Sequence, residues 1–200
     1  MNVTTKPVGS YQANCYFLQE GDHLALIDPG SDAKFIIQSV KDTNATLEYI
    51  LLTHGHFDHT GAVEEVKAAF PEAKLYVHKE DSEGVGSQMI STAGLAEGFL
   101  SEGESFDLGG VAIKVITTPG HSKGSVCFLA EDSLFTGDTL FFGSMGRTDL
   151  SGGSYPEIMK SLRKISELEG DFTVYPGHDR SSTLNHERKL NPYVQEAMNG

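Results

Sequence analysis

The chain has 200 residues, a mass of 21.6 kDa and 38% hydrophobic residues, enough to fill the core of one domain spanning 1–200. Asp and Glu outnumber Lys and Arg by 28 to 15, and the formal charge of −13 has the wrong sign for phosphate backbones or anionic lipid, so neither nucleic acid nor a membrane is an expected partner. No stretch approaches the apolar length of a bilayer-spanning helix, the opening MNVTTKPVGSYQANCYF lacks a secretory-signal pattern, and a cytoplasmic location is expected.

In chain order, the runs NCYFL (14–18), LALID (24–28), YILLT (49–53), KLYVH (74–78), VAIKVITT (111–118), SVCFLA (125–130) and FTVYP (172–176) predict strands. They are rich in β-branched and aromatic residues, and most are bounded by Gly, Pro or Asp. Between them, Phe35, Ile36 and Val40, then Val63, Val66 and Phe70, then Ile158, Leu162 and Ile165 are spaced for one buried helix face each. The fold class is therefore α/β. Two strands precede the first helix, which predicts a mixed sheet rather than a repeated strand-helix-strand array. Residues 81–105 are rich in Gly and Ser with a weak apolar pattern, as in an insertion or a mobile cover. The tail STLNHERKLNPYVQEAM predicts a helix that stops or bends near Pro192. Cys15 and Cys127 stand singly in apolar runs and read as buried thiols.

Three of these runs and a fourth, SLFTGD (133–138), end alike: YILLTHGH at His56, VITTPGH at His121, SLFTGD at Asp138 and FTVYPGH at His178. In each, an apolar strand gives way to a turn containing Gly and then to a side chain that can coordinate a metal. Strand tips fixed by a packed sheet bring distant positions together, and Gly allows the turn that aims the side chain inward. His54 and His56 are two apart and share a face, whereas Asp58 and His59 fall at the turn into the next helix. His54, His56, Asp58, His59, His121, Asp138 and His178 make seven donors, too many for one tetrahedral ion and natural for two that share a bridge. The alternative is capping and ordinary turns, with Asp58 capping the helix near His59. His23, His78 and His186 lie outside the pattern and have no expected metal role.

At these residues the chain resembles the metallo-β-lactamase superfamily, with the His-x-His-x-Asp-His signature at 54–59 followed by PGH at 119–121, TGDTLF at 136–141 and YPGH at 175–178. The resemblance implies an αβ/βα sandwich: two mixed sheets packed face to face, helices outside and metals at one edge. It also implies that His54, His56 and His121 hold one ion, Asp58, His59 and His178 a second, and that Asp138 bridges them. Asp138 argues against true β-lactamases, which typically have cysteine at this stage of the site. GRTDLSGGS at 146–154 and GHDRSSTLNHERKLNP at 177–192 resemble the small bacterial glyoxalase II-like proteins, the hydroxyacylglutathione hydrolases.

That resemblance implies thioester hydrolysis, with a small-molecule substrate and two divalent cations, zinc first and iron or manganese as alternatives. The nucleophile it implies would be a hydroxide held between the two ions. Asp58 and Asp138 are the expected catalytic carboxylates, Asp58 orienting the hydroxide or receiving its proton. Glutathione-binding members carry Lys and Tyr where this chain has Arg147 and Asp149, and a Tyr at Arg180. Arg147 and Arg180 are thus the expected contacts to an anionic substrate, against an internal Arg147–Asp149 ion pair. Competing readings are a mononuclear-iron persulfide dioxygenase, which the GRTD stretch also resembles, a lactone hydrolase, and a non-catalytic metal-binding module.

Overall fold

The computed structural model describes residues 1–200, arranged as two six-stranded sheets with helices on their outer faces. The first half contains β1 (Asn2–Val8), β2 (Ala13–Glu20), β3 (His23–Ile27), α1 (Ala33–Asp42), β4 (Thr46–Leu51), α2 (Phe57–Thr60), α3 (Val63–Ala69), β5 (Lys74–His78), α4 (Lys79–Ser82) and β6 (Gly98–Leu100). The second contains β7 (Ser105–Leu108), β8 (Val111–Thr117), β9 (Val126–Ala130), β10 (Ser133–Gly137), β11 (Leu140–Phe141), β12 (Ser144–Met145), α5 (Tyr155–Ser166), β13 (Thr173–Pro176), β14 (Ser182–Thr183), α6 (Leu184–Leu190) and α7 (Pro192–Asn199). Their orders are β1-β2-β3-β4-β5-β6 and β14-β13-β10-β9-β8-β7. Both sheets are mixed: β1–β3 pair antiparallel and β3–β6 parallel, while the second sheet is antiparallel except at β10–β13.

The layers follow from side-chain alternation along strands buried on both faces. From β2, Tyr16 and Leu18 point between the sheets and meet Phe106, Val115, Phe128 and Phe135 of the second sheet. The intervening Cys15 and Phe17 point outward, to the layer where Ile36 and Val40 of α1 and Val63 and Val66 of α3 pack. Across the second sheet, Cys127, Leu134 and Val174 face Leu162 and Ile165 of α5 and Leu184 and Val194 of the last two helices. Three apolar layers thus hold the sandwich together. Truncating a fully buried aromatic such as Phe128 to Ala costs about 3–5 kcal/mol.

One expectation needs correction. Phe35 is 49% exposed, because Ile36 and Val40 carry the buried face of α1, and the Lys6 ammonium lies 5.2 Å from the Phe35 ring centre. Residues 81–105, expected as an insertion or a mobile cover, are tied to the loop that carries the first donors. Backbone bonds from Phe57 to Gln88 (2.8 Å) and from Ile90 to Gly55 (3.1 Å) stitch the segment to the 54–57 loop, and its end forms β6. Main-chain bonding holds it, so its side chains show no strong apolar period. The tail divides as expected, with Asn191 accepting from the Tyr193 and Val194 N–H groups and Pro192 opening α7.

Candidate metal centre

The C-terminal ends of β4, β8, β10 and β13 deliver the four motifs to one edge of the sandwich, β4 from the first sheet and the others from the second. His54, His56 and His121 have donor atoms within 4.8 Å of one another, and so do Asp58, His59 and His178. The Asp138 carboxylate stands between the groups, Oδ1 at 3.4 Å from His59 Nε2 and Oδ2 at 3.5 Å from His121 Nε2 and 3.7 Å from His178 Nε2. All seven sequence-predicted donors therefore converge. Asp58 lies inside α2 and makes no capping bond there.

Hydrogen bonds behind the imidazoles fix which nitrogen faces inward. The single hydroxyl proton of Thr53 goes to Asp28 Oδ2 at 2.6 Å, so its oxygen accepts from His54 Nδ1–H at 3.0 Å. The Nδ1–H groups of His59, His121 and His178 donate to Asp28 Oδ2 (2.9 Å), the Arg147 carbonyl (2.9 Å) and the Tyr11 carbonyl (3.2 Å). Each arrangement commits Nδ1 to an outer acceptor and turns Nε2 inward, so that Nε2, once it carries no proton, offers the lone pair a metal ligand requires. His56 instead turns Nδ1 inward, 2.9 Å from His121 Nε2.

The donor set fits bound metal. His54 Nε2 and Asp138 Oδ1 are buried and have no hydrogen-bond partner, an expense that a cation removes. Tetrahedral ligands about 2.0–2.1 Å from an ion lie roughly 3.3–3.4 Å apart. Here His59 and His178 stand 3.3 Å apart, as do Asp58 and His178. Cys15 and Cys127 are buried elsewhere and free, and burial pushes the Cys127 thiol up to about 12, so no thiolate joins the set.

Charge is unevenly placed. Burial, then the neighbouring imidazoles, pushes His56 down to about 4, and burial lowers His54 strongly, so both are neutral at pH 7. Burial also disfavours charge on His59, but Asp138, the bond to Asp28 and Asp58 outweigh it and raise the pKa to about 9. Burial would raise Asp58, yet the hydrogen bond from His178 and the charge on His59 hold it near 2.

An open cleft of about 400 Å³ leads to these groups, lined by Tyr11, Phe57, Phe141, Met145 and Leu150 beside His56, Asp58, His121, Asp138 and His178. Arg147 lines it as well, with its guanidinium paired to Asp149 through two 2.7 Å bonds. Arg180 is not among the lining residues; its guanidinium sits 3.7 Å from the Phe142 ring centre, and Phe142 stacks on His186. His23 pairs with Glu48, and His78 accepts from the Glu80 N–H at the start of α4.

Sequence reasoning missed Asp28, although LALIDPG has the same strand-tip grammar as the four motifs. Its carboxylate is 1% exposed and gathers the Thr53 N–H (2.7 Å), the Thr53 hydroxyl and His59. Close packing also dictates the motif glycines. Gly120 has φ +139 and leaves no room for a Cβ, which would fall 2.2 Å from the Ile158 nitrogen of α5.

Comparison with known proteins agrees with this geometry. Hydroxyacylglutathione hydrolase GloC of Haemophilus influenzae is 32% identical over 208 residues, covering 97% of this chain and 98% of that one. Among solved structures, the B3 metallo-β-lactamase BLEG-1 superposes with a TM-score of 0.87 at 36% identity, over 96% of this chain and 99% of that one. TTHA1623, solved in a di-iron-bound form, superposes at 0.85 with 34% identity, over 96% and 100%. The metallo-beta-lactamase superfamily model matches residues 8–178, a span that takes in every strand tip bearing one of the seven donors, and the chain belongs to that superfamily of metallo-hydrolases.

Proposed function

We propose that the protein hydrolyses thioesters of the S-2-hydroxyacylglutathione kind with two divalent ions, one held by His54, His56 and His121, the other by Asp58, His59 and His178, with Asp138 shared. The observation that carries this reading is the Asp138 carboxylate, set between two complete donor groups at the floor of an open cleft. The relationship to GloC over nearly the full length of both chains supports the thioester class. Imidazole and carboxylate donors suit zinc, and equally iron or manganese.

When bound, such ions supply Lewis acidity, lowering the pKa of water to about 7 and polarising a carbonyl oxygen. The chain's own residues do the rest. Asp58, held near 2, is ionised at neutral pH and too weak a base to store a proton, so it orients water by accepting a hydrogen bond. Apolar side chains of Tyr11, Phe57, Phe141 and Leu150 cover the acyl end of the substrate and exclude bulk water. Arg147 offers its charge to a carboxylate of the thiol carrier once Asp149 releases it, and Arg180 adds positive charge from beside the Phe142 ring.

Asp138→Ala tests the reading. Hydrolysis of S-2-hydroxyacylglutathione is lost and metal content falls; undiminished turnover at normal metal content contradicts it. The GRTD stretch at 146–149 carries a second reading, a mononuclear-iron oxygenase acting on glutathione persulfide. Oxygen uptake with the persulfide and no thioesterase activity establishes that alternative. Kinship with BLEG-1 makes a β-lactam the necessary control substrate.

A further inference from the structure

Asp81 belongs to none of the motifs, yet it is 1% exposed and both its carboxylate oxygens accept hydrogen bonds. Oδ2 accepts the Gly55 N–H at 3.0 Å and the Ser122 hydroxyl at 2.6 Å, and Oδ1 accepts the Gly124 N–H at 2.8 Å. Gly55 lies between His54 and His56, and Ser122 follows His121 directly. One carboxylate on the one-turn α4 thus ties the loop after β4 to the loop after β8, loops that leave different sheets.

The steric fit is independent of those bonds. A Cβ at Gly55 would stand 2.8 Å from the Asp81 carbonyl oxygen, and one at Gly124 would stand 2.6 Å from Asp81 Cγ. Both loops therefore lay bare backbone directly on Asp81, and any side chain at either position would push it away. The other half of the centre is braced differently: His59 by Asp28 and His178 by the Tyr11 carbonyl, with no bond to Asp81.

We propose that Asp81 is the positioning residue for the three-imidazole half of the centre, holding His54, His56 and His121 in register so that one ion binds there, with no role in the Asp58–His59–His178 half. The inference rests on the reading that the chain holds metal ions, and not on the identity of the substrate. Removing the carboxylate frees both loops and leaves two buried N–H groups without acceptors. Asn keeps the volume of Asp, but one of its two ends becomes a donor facing donors, so Asp81→Asn loses part of the clamp.

The test is zinc titration of the metal-stripped protein against a chromophoric chelator, in two backgrounds that each retain one half of the centre. In His178→Ala, adding Asp81→Ala lowers affinity for the remaining ion about 10- to 100-fold, the cost of losing support behind metal ligands. In His121→Ala, the same addition changes affinity by no more than about twofold, because Asp81 bonds none of Asp58, His59 and His178. Asp81→Asn gives an intermediate loss in the first background only. Circular dichroism establishes that each variant is folded; should Asp81→Ala not fold, Ser122→Ala, which removes a single hydroxyl, gives a smaller loss confined to the same background. Equal losses in both backgrounds, or none in either, overturn the assignment of Asp81. Failure of the unsubstituted protein to bind zinc, iron or manganese overturns the metal reading itself.

Discussion

Asp28→Asn examines the other support of the centre. The Asp28 carboxylate receives three donors: the Thr53 N–H on Oδ1, and the Thr53 hydroxyl and His59 Nδ1–H on Oδ2. An amide offers one acceptor oxygen. Placed at Oδ2, it keeps the hydroxyl and His59 but sets NH₂ against the Thr53 N–H; placed at Oδ1, it sets NH₂ against the His59 N–H. Either way at least one buried charge-assisted bond is lost, at about 1.5–3 kcal/mol. For a chain of this size, at about 2–4 °C per kcal/mol, the metal-free protein melts roughly 3–12 °C lower. The loosened His59 lowers affinity for the second ion by about 10- to 100-fold. Calorimetric melting and chelator competition measure the two effects. An unchanged melting temperature together with wild-type binding of both ions would show that the hydrogen bonds behind His59 and His54 contribute nothing, and would refute the reasoning.

Three further outcomes follow from particular contacts. Arg147→Ala raises KM for carboxylated thioesters by about 2- to 5-fold, the scale of an exposed ion pair, with kcat and the KM of an uncharged thioester unchanged; a fall in kcat alone contradicts the role given to Arg147. At Gly177, an added Cβ would fall 2.1 Å from Asp138 Oδ1 and 2.8 Å from His59 Cε1, so Gly177→Ala lowers the content of both ions while the fold, read by circular dichroism, survives. Because His59 holds its second proton up to about pH 9, metal binding must displace it, and apparent affinity at the second half rises with pH until about 9. In the metal-free protein the same raised pKa contributes stability that is complete below about pH 6.5 and is lost as pH rises through about 9. Calorimetry in buffers of different ionisation enthalpy reads the released proton; binding with no proton release at pH 7 contradicts that assignment.

Much of the sandwich was legible because strands buried on both faces must be apolar along their length, as in NCYFL and LALID. The edge strands were not. β1 reads NVTTKPV, and β6 and β14 are three and two residues long; they are held by main-chain pairing, which leaves little mark in the pattern of side chains. The metal donors stood out because imidazoles at strand tips are rare and repeated. Asp28 and Asp81 escaped notice because an aspartate beside a turn is ordinary in any sequence, and only the folded chain shows that each gathers three donors. Arg147 lines the cleft, and its pairing with Asp149, the alternative weighed against substrate contact, is the contact the structure shows.

The most direct measurement is an anomalous difference map from crystals of the protein grown with zinc or iron. The account predicts two peaks, one among His54, His56 and His121 and one among Asp58, His59 and His178, with the Asp138 carboxylate touching both. A single peak, or two peaks at other side chains while these seven stay unligated, would contradict it.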